Sequence, residues 1–186
     1  MSKKVSVYLG SSYRCKDEYK DLAHEVGYKL AKAGHTIVYG GAAVGTMGAL
    51  ADGAQQAGGT VIGVFPKGFL GTRDVRAKGI EVFREGLAEM IIAEDFAERK
   101  QVMEDLGDCA VVLPGSFGTL DELFTYACNH SIDKNNKPIY ILNHKGYYNA
   151  INTLIEEMDR AGFLKDLMRG VITLYDTADE LIAALD

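Results

Sequence analysis

The chain has 186 residues, 47% apolar and 25% charged, which suits one folded domain whose core needs no disulfide or metal staple. Its 20 basic and 26 acidic residues leave a net charge of −6, which disfavours a nucleic-acid or membrane-surface binder but leaves room for a local basic pocket. Three cysteines without CxxC spacing (Cys15, Cys109, Cys128) speak against a disulfide scaffold or zinc ribbon, and no apolar run is long enough for a signal peptide or a membrane span. A cytoplasmic protein of one domain, residues 1–186, is expected.

In chain order, short apolar runs alternate with longer amphipathic ones. Val5 to Leu9 predicts a buried strand closed by Gly10-Ser11-Ser12, and Asp17 to Ala33 a helix stopped at Gly34. Thr36 to Tyr39 is strand, closed by Gly40-Gly41. A helix from Gly45 to Ala57 and a strand from Val61 to Phe65 follow. Val82-Phe83 is too short to assign. Met90 to Ala93 predicts strand, Phe96 to Leu106 helix, and Cys109 to Leu113 a continuous apolar strand. After Pro114-Gly115 come a helix from Thr119 to about Ile132, a strand from Ile139 to Leu142, and a helix from Tyr147 to Ala161. Val171 to Tyr175 and Ala178 to Leu185 close the series as strand and helix. Strands without polar alternation are buried on both faces, so the fold expected is α/β: a doubly wound parallel sheet, Rossmann-like, with three αβα layers. The least regular stretch is Pro66 to Leu87, with four glycines and the basic residues Lys67, Arg73, Arg76, Lys78 and Arg84. A loop this long is usually functional or mobile, and it is expected to close over a ligand or to meet a partner subunit.

In such a fold, ligands bind where strands end and helices begin. Three strand ends carry glycine-rich turns: Gly10-Ser11-Ser12, Gly40-Gly41 to Gly45, and Pro114-Gly115-Ser116-Phe117-Gly118-Thr119. Strand-to-helix turns need glycine anyway, but three at one sheet edge would form an anion-binding crevice. The spacing fits neither GxGxxG nor a P-loop, and suits a mononucleotide better. Thr119-Leu120-Asp121-Glu122 has two readings: a capping box, or a carboxylate, Glu122, facing a ligand whose phosphate sits at the helix start. Arg99-Lys100 is either a solvated basic pair or a clamp for phosphate or carboxylate. Four scattered histidines lack metal spacing, Cys109 reads as buried and inert, and Tyr147-Tyr148 as helix-packing aromatics.

The stretch Pro114 to Glu122 resembles the PGGxGTxxE signature of the LOG (LONELY GUY) family, once described as possible lysine decarboxylases. Further likenesses are Val7 to Ser12, Tyr39-Gly40-Gly41 to Gly48, Val61 to Pro66, Glu98-Arg99-Lys100 to Met103, Lys137-Pro138 and Gly146-Tyr147-Tyr148-Asn149. The chain departs from the family pattern at Ala43, Phe96-Ala97, Ser116, Asn129 (commonly tryptophan) and Ser131.

The resemblance implies a cytokinin riboside 5′-monophosphate phosphoribohydrolase of AMP nucleosidase type. Such an enzyme hydrolyses a purine nucleoside 5′-monophosphate to free base and ribose 5-phosphate. It further implies Glu122 and Arg99 as catalytic residues. Substrate binding would fall to Gly10, Ser11, Gly40, Gly41, Lys100, Gly115, Ser116, Phe117, Gly118, Thr119 and Asp121. No metal or cofactor is implied, and a homodimer is expected. Two other classes stay open: a non-catalytic nucleotide or molybdenum-cofactor carrier on the same fold, and a pyridoxal-phosphate decarboxylase, for which no lysine stands out.

Overall fold

A computed structural model describes residues 1–70 and 84–185. Seven strands form one sheet: β1 (Lys4–Tyr8), β2 (Thr36–Tyr39), β3 (Val61–Pro66), β4 (Glu89–Ala93), β5 (Cys109–Val112), β6 (Ile139–Leu142) and β7 (Ile172–Tyr175). Their order is β4-β3-β2-β1-β5-β6-β7, and every pair is parallel. Among the described residues six helices accompany them: α1 (Asp17–Lys32), α2 (Gly45–Gln56), α3 (Phe96–Leu106), α4 (Phe117–Ser131), α5 (Asn149–Arg160) and α6 (Ala178–Leu185). The expected doubly wound α/β architecture is present.

The alternation of side chains along each strand divides the core in two. Val5, Val7, Ile37, Tyr39 and Val111 pack with α1, α2 and α6 on one side. Tyr8, Val38, Val64, Val112 and Ile141 pack with α3 and α4 on the other. β3 and β5 are buried throughout, whereas the edge strands β4 and β7 are partly exposed. This is the physical reason why the central strands read as unbroken apolar runs. Cys109 is buried in the sheet, and burial pushes its thiol up to about 11, in keeping with an inert role. No helix among the described residues is long and apolar enough to cross a membrane.

Two helix starts differ from expectation. α4 begins at Phe117, not Thr119, because Ser116 adopts the extended N-cap conformation. α5 begins at Asn149, not Tyr147. The Asn143 side chain accepts the Tyr148 N–H at 2.8 Å, and Gly146 sits at φ +75, so residues 143–148 form a turn. Of the 66–87 loop, residues 67–69 form a single 3-10 turn. Val82-Phe83, the basic residues Arg73, Arg76 and Lys78, and the 71–83 part of the expected lid lie outside the described residues. Of the basic residues that are described, Lys67 pairs with Glu94 at 3.0 Å and Arg84 with Asp52 at 2.7 Å.

α1 and α2 cross with almost no space between their backbones. A Cβ on Gly27 would overlap the Leu50 carbonyl, and one on Gly53 would overlap the His24 carbonyl. Alanine favours an isolated helix by about 1 kcal/mol over glycine, so propensity alone would make Gly27→Ala stabilising. Backbone atoms cannot move aside, so we expect the opposite sign: a loss of about 1–3 kcal/mol in chemical denaturation.

Candidate functional site

β1 and β5 are adjacent, yet the chain leaves them towards opposite edges of the sheet. A crevice opens where the winding direction switches, beyond the carboxyl ends of these strands. The three glycine-rich turns meet there. A Cβ on Gly10 would stand 3.6 Å from the Gly115 Cα. Gly45 sits at φ +59 with its Cα facing the Ser11 carbonyl, where any Cβ would fall 2.6 Å from the oxygen. The Thr46 hydroxyl donates to the Gly10 carbonyl, tying the turn after β2 to the turn after β1. Close backbone packing, rather than side chains, therefore builds the rim.

The N-terminus of α4 forms the floor of the crevice. The Ser116 side chain makes no capping hydrogen bond, and no acidic residue occupies the first turn. Leu120 N–H donates to the Ser116 carbonyl at 3.0 Å. The amides of Phe117, Gly118 and Thr119 precede that bond and have no place in the intrahelical ladder. Such donors, with the helix dipole behind them, favour an anion. Nothing lies within 4 Å of the direction in which a Gly118 Cβ would point.

The capping-box reading of Thr119 and Glu122 does not hold. With Phe117 as the first helical residue, Thr119 is the third and Glu122 the sixth, beyond reach of the N-cap amide. Ser116 has φ −109, and Ala43 is not among the residues with positive φ. The two family glycines missing at these positions are thus not required by backbone conformation.

Glu122 and Arg99 are buried to 7% and 3% exposure. Arg99 Nη2 lies 3.8 Å from Glu122 Oε1, an ion contact longer than a hydrogen bond. Arg99 Nε donates to the Val64 carbonyl at 3.2 Å, and the guanidinium lies 5.6 Å from the centre of the Phe96 ring. Gly40 gives the arginine its space, since a Cβ there would overlap Nη2. Tyr8 is buried beneath the site. Burial, then the Glu122 carboxylate, raises its hydroxyl well above the ordinary range, so it stays neutral. At the rim, the Lys100 ammonium sits 2.8 Å from Asp121 and 3.1 Å from Thr125 Oγ1, bridging α3 and α4.

These groups enclose a cavity of about 270 Å³. Of the expected site residues, Gly10, Ser11, Arg99, Lys100, Ser116, Gly118, Thr119, Asp121 and Glu122 line it. Gly40, Gly41, Gly115 and Phe117 do not. Gly40 houses Arg99, and the Gly41 carbonyl accepts the Arg84 N–H at 3.0 Å. A Cβ on Gly115 would overlap the Thr119 hydroxyl, and Phe117 is 89% exposed. Leu9, Met47 and Phe96 also line the cavity and were not anticipated. Phe96 opens α3 one turn before Arg99, and that spacing was its available signal. Tyr147 packs edge-on against Tyr19 of α1, with ring centres 5.6 Å apart, and Tyr148 is buried in the core with Leu123 of α4. Both also act as braces: their hydroxyls donate to the Gly115 and Leu113 carbonyls at 2.7 and 2.8 Å. Among the described residues no group of three or more His, Cys, Asp or Glu could hold a metal ion.

Fold and crevice together define a Rossmann-like α/β protein with its candidate site at the switch point of the sheet. A family model described as "possible lysine decarboxylase" matches residues 47–185. A cytokinin riboside 5′-monophosphate phosphoribohydrolase of Rhodococcoides fascians is 34% identical over 98% of this chain and 89% of its own length. One of Arabidopsis thaliana is 33% identical over 99% of this chain and 77% of its own. The chain belongs to this family, the LOG family whose signature it resembles. Among solved structures, a molybdenum cofactor carrier protein of Chlamydomonas reinhardtii superposes with a TM-score of 0.73 at 20% identity, covering 100% of this chain and 96% of that one. At that identity the likeness is one of fold.

Gly40→Ala separates the arginine from the fold. The overlapping atom is the end of a flexible side chain, so the protein should fold with a melting temperature close to that of the wild type. The displaced guanidinium should lose its 3.8 Å contact with Glu122, which a crystal structure of the variant would show.

Proposed function

We propose that this chain is a nucleoside 5′-monophosphate phosphoribohydrolase. In this reading it hydrolyses the N-glycosidic bond of purine nucleoside 5′-monophosphates, adenosine (AMP) or cytokinin riboside, to free base and ribose 5-phosphate. The observation that carries the reading is Glu122: a carboxylate shielded from water, in the wall of a cavity whose floor attracts anions, 3.8 Å from Arg99. A pocket that only stored a phosphorylated ligand would gain nothing from a buried negative charge beside it. A glycosidic bond that breaks through an oxocarbenium-like sugar gains directly from that charge. The names of the relatives at 33–34% identity support the same reaction.

The roles follow from the chemistry of each group. Phosphate rests at the start of α4, on backbone amides of the 115–119 turn, of which Ser116, Gly118 and Thr119 line the cavity, and is oriented by Arg99. This places the anomeric carbon within reach of Glu122. As the bond to the base lengthens, positive charge grows on the sugar, and a carboxylate about 4 Å away stabilises it by about 4 kcal/mol at an effective dielectric of 20. The same oxygen orients the attacking water and accepts its proton. Arg99, 3.8 Å away, offsets the Glu122 charge in the meantime. A cytoplasmic homodimer completes the proposal. The carrier reading draws on the fold likeness alone.

Glu122→Gln preserves shape and removes the charge. We expect kcat for AMP to fall about a hundredfold or more, close to 3 kcal/mol, while calorimetric affinity for AMP stays nearly unchanged. Arg99→Ala should lose both turnover and affinity. A fully active, normally folded Glu122→Gln protein would favour the carrier.

Adenosine should be released from this chemistry altogether. Without a phosphate to anchor the ribose, binding energy is not available to orient it. Chromatography of a panel of nucleosides and their 5′-monophosphates should show free base from the monophosphates only. Equal turnover of adenosine and AMP would remove the anion floor from the mechanism.

A further inference from the structure

Behind the cavity lies a second buried carboxylate that the proposed chemistry does not use. Glu104, in the last turn of α3, is 4% exposed. Its Oε1 accepts from the Asn135 amide and its Oε2 from the Asn129 amide, both at 2.6 Å. The Glu104 carbonyl accepts from the Lys137 ammonium at 2.5 Å, and the carbonyl before it, of Met103, accepts from the Ser6 hydroxyl at 2.6 Å. The end of α3 is thus bound to β1, to α4 and to the 135–137 turn that leads into β6.

We propose that Glu104, with Asn129 and Asn135, is a positioning clamp that sets the separation of Arg99 and Glu122. The inference rests on the hydrolase reading above. Arg99 lies five residues before Glu104 on α3, and Glu122 lies seven before Asn129 on α4, so about 7.5 and 10.5 Å of helix join the clamp to the two site residues. One seam between two helices therefore holds the Arg99–Glu122 contact at one end and the Glu104–Asn129 contact at the other. Lys100–Asp121 also crosses the seam, but the Asp121 side chain is 61% exposed and water screens it. Glu104 is not screened. Two short hydrogen bonds to one carboxyl group are directional, whereas apolar contacts tolerate sliding along the seam. A buried carboxylate with both oxygens engaged thus fixes how far α3 can shift against α4. Glu104 touches no substrate and acts only through Arg99 and Glu122.

The test compares wild type with Glu104→Ala, Glu104→Gln and Asn129→Ala by AMP kinetics, melting temperature and crystallographic Arg99–Glu122 distance. Glu104→Ala should lower kcat tenfold or more and change KM less than threefold, because the amide floor lies at the opposite end of α4 from residue 129. Its Arg99–Glu122 distance should differ from that of the wild type. Glu104→Gln should recover most of kcat, since one asparagine amide can turn over and both contacts survive. A lowered melting temperature with kcat and distance unchanged would overturn the proposal, as would a Gln variant no better than Ala. If Glu104→Ala does not fold, Asn129→Ala, which retains the Asn135 contact, should show a threefold or larger fall in kcat with the same shift in distance. Unchanged values would overturn the clamp. A wild type that releases no base would refute the hydrolase reading instead, and the crystallographic distance in Glu104→Ala would then decide the clamp alone.

Discussion

Arg99 and Glu122 face each other out of water at the carboxyl edge of the sheet, and much of the surrounding architecture serves to keep them there. Removing two charges from water costs several kcal/mol for each, which their mutual attraction offsets only in a good geometry. The fold supplies that geometry from separate elements. Val64 in β3 offers a carbonyl to the guanidinium, Gly40 after β2 leaves room for it, and α4 brings in the carboxylate. Such a pair is weak evidence for stability. It is better understood as a site prepared for a ligand that completes the charge balance.

The second constraint is the net charge of −6. An acidic chain that binds a phosphorylated ligand needs a local source of positive potential. Here the uncapped start of α4 adds backbone amides to the Arg99 and Lys100 side chains, with the turns after β1 and β2 packed close around it. Amides attract an anion without adding flexible side chains whose ordering would cost entropy. Tyr147 and Tyr148 hold the 113–115 segment through its carbonyls, which limits how far the turn before α4 can move.

Much of this was legible in the residues. The β-α alternation could be read because central strands buried on both faces carry no polar alternation, as in Cys109 to Val112. Arg99 and Glu122 could be singled out because their type and place at helix starts are local signals. Longer-range features could not. Thr119 and Glu122 have the spacing of a capping box, and only the position of Ser116 in space excludes it. Gly40 looked like a ligand-facing glycine, but its vacancy is filled by an arginine 59 residues further along. Glu104 and Asn129 pair across 25 residues, and neither carries a local pattern that announces the other.

The central claim is that water, held by Glu122, attacks the anomeric carbon of a phosphoribosyl group. Incubating the protein with AMP in water enriched in oxygen-18, followed by mass spectrometry of all products, tests it most directly. Adenine should appear without label and ribose 5-phosphate with one labelled oxygen at the anomeric carbon, with no inorganic phosphate released. Label in inorganic phosphate, or AMP recovered intact, would contradict it.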